Sequence, residues 1–354
     1  QALTVNSVSM AHETTQLLRN HLADARAWGR GDTPIAAAYE PVNVFYDGCN
    51  FLLAANDYAD GAPSIYLVEH DEPAARGSGQ WLTWGGAWSA TGDYDAVDGY
   101  TQYDHDATGF AIGFDRVLEN DWIVGATAGW SETDLGLDEA AADATVESWN
   151  GMLFATKYND QAFVETGLYF GSQEFDASRV VTLDALEQVA TSRHDGDMLM
   201  AYLSGGRRYD FETWYIEPYG SLFWFDVSED AFAEEGAGSL GLVFEKKSVN
   251  ALFGEVGAKF QWLRETDRGL IDWHATVAYN RDFEIDDMNI SYAYAGQPGT
   301  FFVIPDRSIK PDSAVFSVGF AYTRGRSTLG FDYRGQYNSL YTNHIFGARL
   351  AYEF

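Results

Sequence analysis

The chain has 354 residues, enough for two average domains or one large β-barrel, and sets 22 Lys and Arg against 53 Asp and Glu for a net charge of -31. So acidic a chain repels phosphate backbones, which argues against nucleic-acid binding. A hydrophobic share of 46% excludes disorder by self-repulsion, 16% aromatics with 35 Gly favour strands and tight turns, and the single cysteine, Cys49, excludes an internal disulfide framework or a cysteine zinc cluster.

Residues 1–30 read as a helix. Leu3, Val5, Val8, Ala11, Thr15, Leu18 and Leu22 recur at helical spacing, and Gly29 and Gly31 end the pattern. The opposite side carries His12, Arg19, His21 and Arg26, a basic excess in an acidic protein. The chain opens on Gln1 with neither an initiator Met nor a basic-then-apolar leader, and is expected to be part of a longer precursor. Residues 31–79 hold Pro34, Pro41, Pro63 and Pro73, with short strand-like runs at 42–46 and 65–68, and read as an irregular linker or accessory segment.

From residue 80 to the end the period is two. Phe110, Ile112 and Phe114 oppose Ala111, Gly113 and Asp115, while Val164, Leu168 and Phe170 oppose Glu165, Gly167, Tyr169 and Gly171. The final segment sets Phe346, Ala348, Leu350, Tyr352 and Phe354 against Gly347, Arg349, Ala351 and Glu353. Such segments centre near residues 86, 112, 126, 153, 167, 202, 221, 256, 276, 318, 332 and 349. Short turns alternate with long links at roughly 91–106, 132–146, 173–195, 228–250 and 284–312. No apolar run reaches the roughly 18 residues of a transmembrane helix, but alternation over about ten residues matches a tilted transmembrane strand and exceeds the 5–6 typical of a soluble sandwich. Trp81, Trp84, Trp88, Tyr103, Trp122, Trp130, Trp214, Tyr215, Tyr333 and Tyr337 gather near segment ends, as interfacial girdles do. The expected fold is an all-β membrane protein, a 12-stranded antiparallel transmembrane β-barrel over residues 80–354 of the bacterial outer membrane, with its short turns periplasmic.

Lumen-facing candidates are Asp115, Glu165, Tyr169, Lys259, Arg349 and Glu353, a mixed set that lets an extended chain slide without tight binding. Glu217-Pro218 reads as a strand-start device, since Pro suits a first strand position. The links are acidic: Asp93, Asp95, Asp98, Asp104 and Asp106 in one, Glu132, Asp134, Asp138, Glu139, Asp143 and Glu147 in the next, then Asp226, Glu229, Asp230, Glu234 and Glu235. Their spacing matches no defined calcium loop, so they read as a solvated surface holding divalent cations loosely at most. Motifs for a serine hydrolase, zinc protease, phosphate loop or β-lactamase are absent, and no cofactor is called for. His105 between Asp104 and Asp106, and His194 beside Asp195, read as chance adjacency in acid-rich links.

In series, these segments resemble the translocator domain of autotransporters (type V secretion). The residues that carry the likeness are Thr108 through Arg116 followed by Asp121-Trp122 and Gly125, then Tyr169 and Phe175 through Arg179. Ile216 through Tyr219, Tyr279 through Phe283 and Ala295 through Gly299 continue it in order. Gly347, Leu350, Tyr352 and the terminal Phe354 are similar to the signal read by the barrel-assembly machinery. The resemblance implies an α-helix threaded through the lumen, which residues 4–27 with Arg19 and Arg26 would supply, and a passenger upstream in the same precursor. It departs at 31–79, where the family has a short linker. Relatives that cut themselves use a paired-Asn motif absent here, so Asn6 and Asn20 read as helix-surface residues.

The implied function is an outer-membrane barrel that delivers or anchors an N-terminal passenger at the cell surface, with membrane lipid, lipopolysaccharide and the assembly machinery as partners and no enzyme activity. The alternative is a passenger-less barrel, an anchor or pore with residues 1–79 as plug or partner-binding element.

Overall fold

The structure is a computed structural model that describes residues 15, 64–68, 81–94, 103–137, 141–211, 213–266, 269–285, 289–304, 312–324, 327–337 and 342–353. Twelve strands run through it as one up-and-down meander: β1 (Trp81–Tyr94), β2 (Tyr103–Leu118), β3 (Trp122–Leu137), β4 (Ala142–Tyr158), β5 (Ala162–Leu183) and β6 (Leu186–Arg207), then β7 (Trp214–Glu229), β8 (Lys247–Thr266), β9 (Gly269–Ile285), β10 (Ser313–Arg324), β11 (Ser327–Tyr337) and β12 (Thr342–Glu353). Each pairs antiparallel with its sequence neighbours. The sheet curls until β12 touches β1. A short strand, Ser64–Val68, lies parallel to β12, with Ser64 opposite Arg349 and Val68 opposite Glu353, and also touches β1. It falls on the strand-like run 65–68 of the accessory segment.

Burial decides what the two faces meet. Along β2, residues Tyr103 through Asp115 alternate buried and exposed without a break, and the exposed set includes Phe110, Ile112 and Phe114. Ile112 is 59% exposed and Val256 61%, whereas Asp115 and Glu165 are at most 1% exposed. A soluble protein would reverse this, because an exposed apolar wall over buried carboxylates gains nothing in water. In a bilayer the same wall is the lipid-facing surface, and pairing between neighbouring strands satisfies the backbone polar groups along them.

The turns on one side are tight. Asn120 and Asp121 take left-handed φ of 63° and 60°, a region that Asn and Asp tolerate better than most residues. Asn159 accepts from the backbone N–H groups of Gln161 and Ala162 at 2.9 and 2.8 Å, closing the next turn. Trp122, Trp262 and Trp273 are exposed on this side, with the Lys157 ammonium 6.0 Å from the Trp122 ring centre.

On the other side the sheet continues beyond what a bilayer needs. β5 and β6 are 22 residues each, about twice the 9–11 of a membrane-spanning strand, and stay paired to a two-residue turn where Leu183 meets Leu186. The stretch 173–195 is therefore a hairpin rather than a loop, and 132–146 is largely strand as well, since β3 runs to Leu137 and β4 resumes at Ala142. The links after β7 and β9 contribute a second antiparallel sheet of four short strands, ordered Phe232–Ala233, Leu242–Phe244, Ile290–Tyr294 and Phe301–Ile304.

Three local expectations are corrected. Trp88 and Tyr103 are buried on the inner face, not placed in a girdle. Trp88 covers Gly109 across the strand pair, where a Cβ would stand 2.6 Å from the indole. Pro218 does not start its strand: it lies inside β7, where pairing with β6 ends at Tyr219 and resumes as Ile216 opposite Tyr209, so the missing N–H falls at an interruption.

Candidate functional site: the inner wall and its outer cap

Alternation sorts the wall by face. Asp115 on β2, and Glu165 and Tyr169 on β5, are buried on the inner face, as their positions in sequence suggested. Lys259 shares the face of buried Glu255 and Gln261 on β8 and is half-buried. Arg349 is registered against Gly330, which in turn pairs with Ala321, and Glu353 is registered against Val68. Arg19, Arg26, Asn6, Asn20, Cys49 and Phe354 lie outside the described residues.

The described inner face holds several deeply buried carboxyl groups, with Lys259 half-buried on the same face. Among the described residues, the buried carboxyl side chains are Asp115, Glu165, Glu229, Glu255 and Asp272, with no Lys or Arg in the buried set. Neutral polar groups join them, and some are hydrogen-bonded across strands. Gln261 Nε2 donates to Asp272 at 2.9 Å while Tyr215 donates its hydroxyl to the Gln261 carbonyl oxygen. Ser204 and Ser221 meet at 2.8 Å across β6 and β7. Sequence reasoning missed Glu255 and Asp272. Both alternate with exposed apolar neighbours, Val256 and Trp273, and that signal would have found them.

One residue of the N-terminal segment is described. Thr15 is helical and fully buried, and its hydroxyl lies 3.9 Å from the Met200 sulfur on the inner face of β6.

Beyond the membrane-spanning part, the small sheet leans on the β5–β6 hairpin. Phe175, His194, Phe232 and Phe244 stack in sequence at centroid distances of 4.8, 3.9 and 4.6 Å. Burial lowers the His194 pKa, against the raising effect of Glu229, Asp195, Asp230 and Asp176. Thr191 and Glu235 exchange both backbone hydrogen bonds, at 2.9 and 2.8 Å. His105 is buried on β2 and its pKa falls to about 4 by burial, with Asp106 opposing. Asp104 and Asp106 alternate to the exposed face, so neither can form a dyad with His105 from within its own strand. Among the described residues, no three His, Cys, Asp or Glu are placed to hold a metal ion.

The comparisons agree with this geometry. The family model for the autotransporter β-domain matches residues 83–334, from the first strand of the wall into its eleventh. The chain belongs to the autotransporter β-domain family. Its barrel is an outer-membrane barrel. The translocator domain of the autotransporter NalP from Neisseria meningitidis superposes with a TM-score of 0.62 at 18% identity, covering 78% of this chain and 89% of that one. Outer membrane protein A of Rickettsia conorii is 24% identical over 255 residues, which is 68% of this chain and 12% of that protein. The Escherichia coli K12 protein YaiT is 26% identical over 147 residues, 39% of this chain and 14% of that one. The chain thus spans only a small part of the length of the curated relatives it matches.

Proposed function

We propose that this autotransporter barrel is the translocator of a longer precursor, inserting in the outer membrane and delivering or anchoring an N-terminal passenger at the cell surface. The observation that supports the reading is Thr15 itself, helical and fully buried with its hydroxyl 3.9 Å from the Met200 sulfur on the inner face. A polar, carboxylate-bearing inner face keeps a hydrated path through the bilayer and suits a segment bearing Arg19 and Arg26. Asp115, Glu165, Tyr169, Lys259, Arg349 and Glu353 line that path in this reading. Gly347, Leu350, Tyr352 and Phe354 serve as the signal for the barrel-assembly machinery, and lipid and lipopolysaccharide surround the wall. Residues 31–79 join the lumen segment to β1, with Ser64–Val68 adding a strand beside β12. The role is geometric and needs no catalytic group.

The mass of the newly made precursor tests this directly. Pulse-labelling with an antibody against the barrel is expected to show a precursor tens of kilodaltons above the 39.3 kDa of this chain. A precursor heavier only by a leader would favour a passenger-less anchor or pore. Conductance separates the lumen assignment from the passenger: deleting residues 1–30 is expected to turn a nearly closed barrel into an open one.

A further inference from the structure

The lipid-facing wall is not smooth. A groove of about 580 Å³ crosses its outward face from β5 to β9. Gly205 and Gly220, paired across β6 and β7, form its floor, and their inner neighbours Ser204 and Ser221 seal the wall beneath by their mutual hydrogen bond. Leu203, Leu222, Val256 and Phe283 make the sides, all exposed and apolar.

Toward its long-loop end, between Tyr279 and Phe283, the groove carries a cation. Arg281 is exposed there, an outward cation in a chain of net charge -31, beside Tyr279, whose hydroxyl hydrogen-bonds Asp312 and reaches the Arg281 guanidinium. Arg281 and Trp273 share the outward face of β9, eight residues apart. At about 3.3 Å per residue and a tilt near 40°, that is a height difference of about 20 Å, close to the roughly 25 Å apolar band of such barrels. Trp273 is at the short-turn interface, so Arg281 reaches the opposite headgroup level.

We propose that this groove is a binding site for a phosphate-bearing lipid of the outer leaflet, with one acyl chain laid along the glycine floor and the phosphate on Arg281. Two observations choose this occupant. The groove is continuous with the lipid-facing wall, where a void is filled by acyl chain rather than water, and Arg281, the cation among its described lining residues, stands at the depth where lipid phosphates lie. The guanidinium suits phosphate because its planar donors meet two oxygens at once.

The inference rests on the wall meeting lipid, which insertion into liposomes with heat-modifiable gel migration reports separately for every variant. The test uses the full chain folded in detergent, with native mass spectrometry reading lipid bound per barrel. Probes are phosphorylated lipid A, its dephosphorylated form and inorganic phosphate. A Cβ at Gly220 meets nothing nearer than 3.9 Å, so Gly220→Leu fills the groove from an unstrained start, and Gly220→Ala leaves it mostly open. Wild type is expected to hold one phosphorylated lipid about tenfold more tightly than the dephosphorylated form, the worth of one charge-assisted contact of about 1.4 kcal/mol. Gly220→Leu is expected to weaken both lipids at least about tenfold and Gly220→Ala far less, while Arg281→Gln removes only the preference for phosphate. Unchanged retention in Gly220→Leu, or an intact phosphate preference in Arg281→Gln, overturns the proposal. So does competition by inorganic phosphate alone, which would mark a free-anion site. Arg281→Gln alters an exposed side chain, so it decides the question even if the glycine variants fail to fold.

Discussion

Arg179 and Glu234 meet as a two-armed ion pair, Nε and Nη2 each donating to a separate carboxylate oxygen at 2.6 Å. The pair ties the β5–β6 hairpin to the small four-stranded sheet. Glu234 also accepts the Leu242 N–H at 2.7 Å, so one carboxylate holds two strands of that sheet and the hairpin together. Its side chain is 8% exposed against 31% for Arg179. Arg179→Ala therefore strands a mostly buried carboxylate, and we expect the sheet to lose about 2 kcal/mol of docking stability once solvent screening on the Arg side is allowed for. Hydrogen exchange should accelerate across residues 232–245 while the wall strands keep their protection. Unchanged exchange there would show that the aromatic stack alone holds the sheet.

Acid should loosen the outer part of the wall. His105 has its pKa lowered from 6.5 to about 4, chiefly by burial. A depressed base favours the folded state only while it is neutral, so its contribution is complete above about pH 6.5 and fades as pH falls through 4, by about 3 kcal/mol in all. His194 shifts in the same direction. The temperature at which the folded barrel loses its fast gel migration should drop between pH 7 and pH 4, and His105→Leu should flatten part of that slope. Equal slopes in the two proteins would remove His105 as a cause.

Glycines on the wall divide into blocked and open positions. A Cβ on Gly125 collides with the Phe114 carbonyl oxygen, backbone that cannot swing aside, whereas Gly220 is open. Gly125→Ala should cost about 1–3 kcal/mol, and Gly220→Ala less than about 0.5. Unfolding in urea from lipid vesicles compares the two directly, and equal losses would mean that the strands shift to absorb the clash.

The membrane assignment makes its own quantitative demand. Ile112 is exposed near the middle of β2's apolar run. Ile112→Lys should destabilise the vesicle-inserted barrel by about 2–4 kcal/mol, the midplane cost of a cation on a barrel's lipid face. The same lysine on a water-facing surface costs almost nothing, so a near-zero effect would argue that this wall does not meet lipid.

The twelve strands were legible because hydrocarbon demands one apolar face at every second residue, and all twelve sequence centres fall within strands of the wall. Beyond the bilayer that demand ends. The tip of β5–β6 carries Asp176, Arg193 and Asp195 among small residues, so 173–195 looked like a link although its backbone stays fully paired. The small sheet escaped notice for a different reason: its strands come from two links and are only two to five residues long, too short for a period to show. Trp88 misled because alternation says which residues share a face, not which face is inside. Gly109, opposite it in register, marked the space its indole fills.

Half of each 22-residue strand in the β5–β6 hairpin suffices to cross the hydrocarbon, leaving about eleven residues standing clear of it, or about 25–30 Å at the usual rise and tilt. The turn at Asp184 and Ala185 is then held out on a stiff paired ribbon, away from the membrane surface. That turn is the part of this hairpin furthest from the membrane. Sequence change there alters what the hairpin presents to the surroundings and leaves the paired wall beneath it undisturbed.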